Sequence, residues 1–176
     1  MLIGRKVAFL DRDGVINEDF GYVHTKENFI FIDGVFEACR ELIRHGFEII
    51  IITNQAGIAR GMYSEAAFCD LMCWVVRKFN ENNISILKTY HCPHHPDFTG
   101  GCMCRKPNPG MLLEAHKEFD IDLKNSIIIG DKVTDLEAGI NAGVGKQYLV
   151  GCHNPQGRDE FSKLIDVLNY INTTRV

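Results

Sequence analysis

Short runs rich in apolar and β-branched residues recur along the chain at Val7 to Leu10, Ile49 to Ile52, Ile84 to Tyr90, Ile127 to Ile129 and Gln147 to Val150. Their continuous apolar character predicts strands covered on both faces, because a strand with one face in water alternates apolar and polar residues. Between these runs the apolar spacing changes to three and four. From Ser64 to Asn80, the residues Phe68, Leu71, Met72, Val75, Val76 and Phe79 share one side of a predicted helix, with Ser64 as its N-cap. Asp33 to His45 places Phe36, Cys39, Leu42 and Ile43 on one face, with Gly46 as the stop. Asn108-Pro109 has the form of a cap followed by proline at the first helical position, predicting a helix through Phe119. Thr134-Asp135-Leu136-Glu137 has the pattern of a capping box opening a helix that ends at Gly143, and a last amphipathic helix contains Phe161, Leu164, Ile165 and Leu168. This alternation predicts an α/β fold: a Rossmann-like, mostly parallel sheet with helices on both faces. Glu18 to Phe31 and the Cys/His-rich stretch His91 to Pro107 follow neither period and are predicted loops.

Ligands of an open α/β sheet bind beyond the carboxyl ends of its strands. Three of the apolar runs lead straight into polar residues there: Asp11 with Asp13 after the first, Thr53-Asn54 after the second, and Asp131 with Asp135 after the fourth. Carboxylates gathered at one edge repel one another unless a cation sits among them, and hard oxygen ligands suit Mg²⁺. Asp, Thr, Lys and Mg²⁺ together are the equipment of phosphoryl transfer, in which positioning and charge neutralisation dominate. Asp11 can attack phosphorus to give an aspartyl-phosphate that water then hydrolyses. Asp13 can protonate the departing oxygen and afterwards activate that water. Thr53 can donate to a phosphoryl oxygen, and Lys106 can neutralise the charge developing on it. Taken singly, such residues are more often helix caps, turn residues or solvated charges; three coordinated strand ends favour a site.

Composition narrows the partners. With 19 Lys+Arg against 23 Asp+Glu the net charge is −4, which disfavours a broad nucleic-acid surface. The 176 residues, 45% apolar and 24% charged, predict one globular domain over 1–176 built on one core. No apolar run approaches the roughly 18 residues needed to cross a bilayer, and the N-terminus lacks a signal-peptide core, so no membrane partner and a cytoplasmic location are expected. No stretch between the first two strand-end motifs is long enough for a large cap domain. The expected site is therefore open, on a small scaffold compatible with a monomer.

Seven cysteines, an odd number, argue against a disulfide framework in such a compartment. Cys39, Cys69 and Cys73 fall on predicted apolar helix faces and are expected to pack in the core; Cys152 has no evident role. The other three crowd into the loop at 91–107, where Cys92, His94, Cys102 and Cys104 supply the thiolates and imidazole that tetrahedral Zn²⁺ prefers. His91 and His95 flank the candidate imidazole; the C-x-H spacing selects His94. With four protein ligands and no open position, the ion would be structural. It would also fix the backbone presenting Arg105 and Lys106. In the other predicted loop, Asp19 and Tyr22 can hydrogen-bond hydroxyls, and Arg105 can hold a second anionic group bidentately, a set suited to a small polyhydroxylated phosphate.

Asp11-Arg12-Asp13-Gly14-Val15-Ile16-Asn17, Thr53-Asn54-Gln55, Lys106 and Gly130-Asp131-Lys132-Val133-Thr134-Asp135 resemble, in this order, the four motifs of the haloacid dehalogenase superfamily of phosphatases. The resemblance implies Asp11 as nucleophile, Asp13 as acid/base, and Mg²⁺ held by Asp11, the main-chain carbonyl of Asp13 and Asp131, with Asp135 behind them or capping a helix. Gly21-Tyr22-Val23-His24, Asn54 to Gly61, Cys92 to Pro96 and Cys102 to Met111 look like the heptose bisphosphate phosphatase group of that superfamily, over roughly residues 7 to 150. Membership would imply removal of the 7-phosphate from D-glycero-D-manno-heptose 1,7-bisphosphate, on the way to nucleotide-activated heptose for surface polysaccharide. It would imply substrate contacts from Asp11, Arg12, Asp13, Asp19, Phe20, Gly21, Tyr22, Thr53, Asn54, Gln55, Ala56, Arg105, Lys106 and Lys132. Departures are a shorter His94-to-Cys102 interval and Val15 where Thr is common. Histidinol-phosphate phosphatases carry similar motifs, but a cationic substrate would favour acidic residues where Arg105 stands. A zinc-stabilised binding module without catalysis would be expected to lack the nucleophile or the metal site, and Asp11, Asp13, Thr53, Lys106 and Asp131 are all present.

Overall fold

The computed structural model describes residues 4–151 and 160–174. Five parallel strands, β1 (Val7–Leu10), β2 (Glu48–Asn54), β3 (Ile86–Cys92), β4 (Ile127–Gly130) and β5 (Lys146–Leu149), form one sheet in the order β3-β2-β1-β4-β5. The helices are α1 (Val35–Arg44), α2 (Ala56–Ala59), α3 (Glu65–Glu81), α4 (Pro96–Thr99), α5 (Gly110–Phe119), α6 (Val133–Ala142) and α7 (Leu164–Thr174). Alternate residues of each strand point to opposite faces. Ala8, Leu10, Ile49, Ile51, Ile127 and Ile129 meet α1, α3 and α7 on one side. Val7, Phe9, Ile50, Ile52 and Ile128 meet α5 and α6 on the other. Both faces being dry is why these strands are apolar throughout; each buried isoleucine contributes on the order of 2 kcal/mol of transfer free energy.

The expected fold is present, with differences in detail. Ser64 caps α3 by accepting the Ala67 N–H at 3.1 Å. Cys39 is buried, but Cys69 and Cys73 are exposed. Each follows a residue of the buried stripe, Phe68 and Met72, and one residue along a helix is a rotation of about 100°. Ile43 is exposed for the same reason, one step past Leu42. Asn108 does not cap α5, which begins at Gly110; its amide instead donates to Cys102 O at 2.7 Å. Thr134 does not cap α6 either: Lys132 stands at the cap position, and Asp135 Oδ2 accepts the Lys132 N–H at 3.0 Å. Gly143 ends α6 at φ +83°. The predicted loop at 18–31 contains a 3₁₀ turn at Lys26–Asn28, and the one at 91–107 contains α4. Cys152 lies outside the described residues. Between β1 and α1 the described chain has no helix beyond that 3₁₀ turn, and none of its helices is long and apolar enough to cross a membrane.

Candidate active site

Because β1 lies between β2 and β4, the residues following these three strands are neighbours. The Asp11 N–H donates to Ile129 O at 3.0 Å, which ties the start of the first loop to β4. Gly14 then turns the chain with φ +84°, and a Cβ there would lie 2.4 Å from Asp131 Oδ2, so only glycine permits this approach. Lys106 reaches in from the opposite side. Its Nζ lies 2.8 Å from Asp11 Oδ1, 2.6 Å from Asp135 Oδ1 and 3.0 Å from Ile52 O, in a buried position. Two hydrogen bonds of 3.1 Å between the Asn54 amide and the Lys106 main chain attach this segment to the end of β2.

One lysine thus serves two carboxylates. Burial alone would lower the Lys106 pKa, but Asp11 and Asp135 outweigh it and raise it. The Asp11 carboxyl is pushed up, because burial exceeds the relief Lys106 provides and Asp135 adds repulsion. Asp131 is raised to about 7 by burial and by Asp11, partly offset by Lys132, and its Oδ1 is buried with no hydrogen-bond partner among the described residues. Oxygens of Asp11, Asp131 and Asp135 lie within 4.8 Å of one another. Asp135 has both oxygens engaged, by Lys106 and by the Lys132 N–H. Asp11 and the orphaned oxygen of Asp131 therefore remain for a hard divalent cation, and the donor set fits Mg²⁺.

Asp13 is held by its acceptor oxygens. Oδ1 receives Arg12 Nη2 at 2.6 Å and Asn17 Nδ2 at 3.0 Å, and Oδ2 receives Gln55 Nε2 at 3.2 Å. The same Gln55 nitrogen donates to Thr53 Oγ1 at 2.8 Å. Asp11 and Thr53 line a small recess of about 40 Å³ that adjoins a cleft of about 480 Å³. Asp13, Asp19, Gly21, Tyr22, Asn54, Gln55, Ala56, Arg105, Lys106 and Lys132 line the cleft. Two expected contacts line neither the recess nor the cleft. The Arg12 side chain is fully buried behind the site, its Nη2 donating to Val23 O at 2.6 Å between the rings of Phe29 and Phe68, so only its backbone is left for a ligand. Phe20 is 64% exposed and stands outside the lining. Tyr63, Pro107 and Thr134 also line the cleft: Pro107 and Thr134 lie within motifs read in the sequence but were not expected to touch a ligand, and nothing in spacing or charge marks Tyr63. At the mouth, Lys132 Nζ lies 3.3 Å from Asp19 Oδ2.

The Cys/His cluster closes on itself. Sulfur–sulfur separations are 3.5 Å for Cys92–Cys102, 3.1 Å for Cys92–Cys104 and 3.4 Å for Cys102–Cys104. His94 Nδ1 lies 3.7 Å from Cys92 Sγ and 3.3 Å from Cys104 Sγ. A tetrahedron drawn around Zn²⁺ has edges of about 3.5–3.8 Å, close to these values. The flanking histidines are otherwise engaged: His91 Nε2 lies 2.6 Å from Glu65 Oε1, and His95 Nε2 lies 3.2 Å from Arg60 Nη2. The cluster borders the cleft directly, for Arg105 donates to His94 O at 3.2 Å and Lys106 comes next in the chain.

A parallel sheet bearing paired carboxylates on one strand end, a threonine on the next and a buried lysine between them defines a haloacid-dehalogenase-like hydrolase. The family described as HAD-hyrolase-like matches residues 103–155. Over 167 residues the chain is 47% identical to D-glycero-alpha-D-manno-heptose-1,7-bisphosphate 7-phosphatase of Campylobacter jejuni, covering 94% of this chain and 95% of that protein. It is also 47% identical to the beta-anomer enzyme of Escherichia coli K12 over 152 residues, covering 84% and 80%. The D,D-heptose 1,7-bisphosphate phosphatase of B. bronchiseptica, solved with magnesium and phosphate, superposes with a TM-score of 0.83 at 30% identity, covering 96% of this chain and 98% of that one. The chain belongs to the heptose-1,7-bisphosphate 7-phosphatase family of these hydrolases.

Proposed function

We propose that this protein hydrolyses the 7-phosphate of D-glycero-D-manno-heptose 1,7-bisphosphate through an aspartyl-phosphate on Asp11. The observation that carries the reading is the buried Asp11–Lys106 contact of 2.8 Å at the floor of a cleft rimmed by Arg105 and Lys132. Asp11 attacks phosphorus while Asp13 protonates the departing sugar oxygen. Asp13, now a carboxylate, takes a proton from water, which displaces phosphate from Asp11. Gln55, Asn17 and Arg12 keep Asp13 aimed through both steps. Lys106 and Thr53 meet the charge on the phosphoryl oxygens. Mg²⁺ held by Asp11, the Asp13 carbonyl and Asp131 supplies further neutralisation of that charge when bound.

The second phosphate and the sugar hydroxyls fall to the rim, where Arg105, Lys132, Asp19 and Tyr22 offer two cations and two hydrogen-bonding groups. Zn²⁺ in the Cys92–His94–Cys102–Cys104 knot is structural on this reading, holding the segment that delivers Arg105 and Lys106. The test is phosphate release with Mg²⁺ from both anomers of the bisphosphate beside histidinol phosphate. The bisphosphates are expected to turn over faster; faster hydrolysis of histidinol phosphate overturns the substrate assignment.

A further inference from the structure

We infer that Tyr63 is a positioning residue for the acid/base carboxylate and that, through His24, it joins Asp13 to the loop lining the sugar side of the cleft. The inference rests on the phosphatase reading above. Gln55 donates to both Asp13 and Thr53 with one amide nitrogen, and its carbonyl Oε1 accepts the Tyr63 hydroxyl at 2.6 Å. An amide has nearly the same shape either way round. Turned over, it would present an oxygen to the Asp13 carboxylate and repel it. A phenol that donates to Oε1 holds the nitrogen towards Asp13. Burial pushes the Tyr63 pKa up to about 12, so the hydroxyl keeps its proton at neutral pH.

Tyr63 is itself placed with little freedom. A Cβ on Gly57 would lie 2.2 Å from its ring, so the glycine makes room for it. The ring also stacks on His24, with ring centroids 4.7 Å apart and planes 8° from parallel. His24 Nδ1 lies 2.7 Å from Tyr22 O, and since a carbonyl only accepts, that nitrogen carries the proton. Tyr22 lines the cleft with φ +54°, a conformation a non-glycine residue adopts only when neighbours hold it. Contacts thus run without a gap from Tyr22 through His24, Tyr63 and Gln55 to Asp13.

Tyr63→Phe keeps the ring, the stack and the packing on Gly57, and removes only the donor. In the zinc- and magnesium-loaded enzyme, kcat for an alkyl phosphate is expected to fall about tenfold, with KM within about twofold. In a Gln55→Ala background the same change is expected to alter kcat by less than about twofold, because Tyr63 acts through Gln55. With p-nitrophenyl phosphate, whose leaving group needs little protonation, the loss shrinks. His24→Ala is expected to raise KM more than it lowers kcat. An unchanged kcat in Tyr63→Phe, or full additivity with Gln55→Ala, overturns the inference. Histidinol phosphate serves as a second alkyl phosphate, so a tenfold loss on it without turnover of the heptose substrates sinks only the substrate reading. No turnover of any phosphate ester sinks both.

Discussion

The strand-end carboxylates and the Cys/His loop adjoin at one edge of the sheet, yet they are held by different means. Asp11 and Asp131 follow strands that are buried along their whole length, and the Asp11 main chain is bonded to β4. Between Cys92 and Lys106, by contrast, no residue is buried; four sulfur and nitrogen atoms stand where a core would be. Yet this coreless segment carries Arg105 and Lys106. The anionic half of the site is thus fixed by the hydrophobic core, and the cationic half, on the reading proposed above, depends on a metal knot. The two halves meet in the bonds from Lys106 to Asp11 and Asp135.

The largest break in this pairing comes from Asp11→Asn, which removes the proposed nucleophile and leaves the shape. Turnover is expected to fall by about 10⁴-fold or more. Stability is expected to hold, since burial already disfavours the Asp11 charge and Lys106 keeps Asp135 as its partner. Phosphate release near the wild-type rate would remove Asp11 from the mechanism. Stripping zinc attacks the other half. Chelation, or Cys104→Ser, is expected to lower activity by about 10–100-fold and lower the melting temperature, with re-added zinc restoring the chelated protein. A zinc-free sample with unchanged activity and melting temperature would show that the loop holds itself.

The same division governs what could be read from the chain. Strands sealed on both faces need unbroken apolar runs, so β1, β2 and β4 were legible, and with them the strand-end residues Asp11, Thr53 and Asp131; the edge strands β3 and β5 are only partly buried and left a shorter apolar trace. The clustering of Cys92, His94, Cys102 and Cys104 was legible because thiolates at close spacing have few uses besides binding a metal. Arg12 was not: its neighbours in sequence are site residues, but its side chain turns between Phe29 and Phe68, which arrive from distant segments. Cys69 and Cys73 were misplaced because an apolar spacing of three and four leaves the edge of a helical stripe undefined by one residue. Tyr63 carries no signal at all, since its role lies in a hydrogen bond to Gln55 that only the folded chain makes.

A gentler test of the anionic half uses pH. In the metal-free protein Asp131 is raised from its ordinary 3.8 to about 7, so the folded state binds that proton more tightly than the unfolded chain. Between those values the folded form gains from protonation, and stability declines as pH rises towards 7. Mg²⁺ takes the ionised carboxylate and opposes the decline. Thermal unfolding is therefore expected to show a larger Mg²⁺-induced stabilisation at about pH 8 than at about pH 6. Equal shifts at both values would mean that the cation is not meeting the strain on Asp131.

The smallest expected effect probes a second join between the halves. Arg60 sets its guanidinium 5.9 Å from the Tyr22 ring and 5.3 Å from the Phe98 ring, with Nη2 3.2 Å from His95 Nε2. It therefore bridges the loop at 19–22 to the helix inside the zinc loop. Exposed cation–π contacts are worth about 0.5–1 kcal/mol, so Arg60→Ala is expected to raise KM by about two- to fivefold while kcat and zinc content hold. If the bridge works by anchoring Tyr22 to an ordered zinc loop, it has nothing to anchor to once the metal is gone. The Arg60→Ala effect on KM is then expected to vanish in zinc-stripped protein. Should the effect survive zinc removal undiminished, Arg60 would be acting on Tyr22 alone, and Lys106 would be left as the principal join between a half built by the core and a half built by the metal.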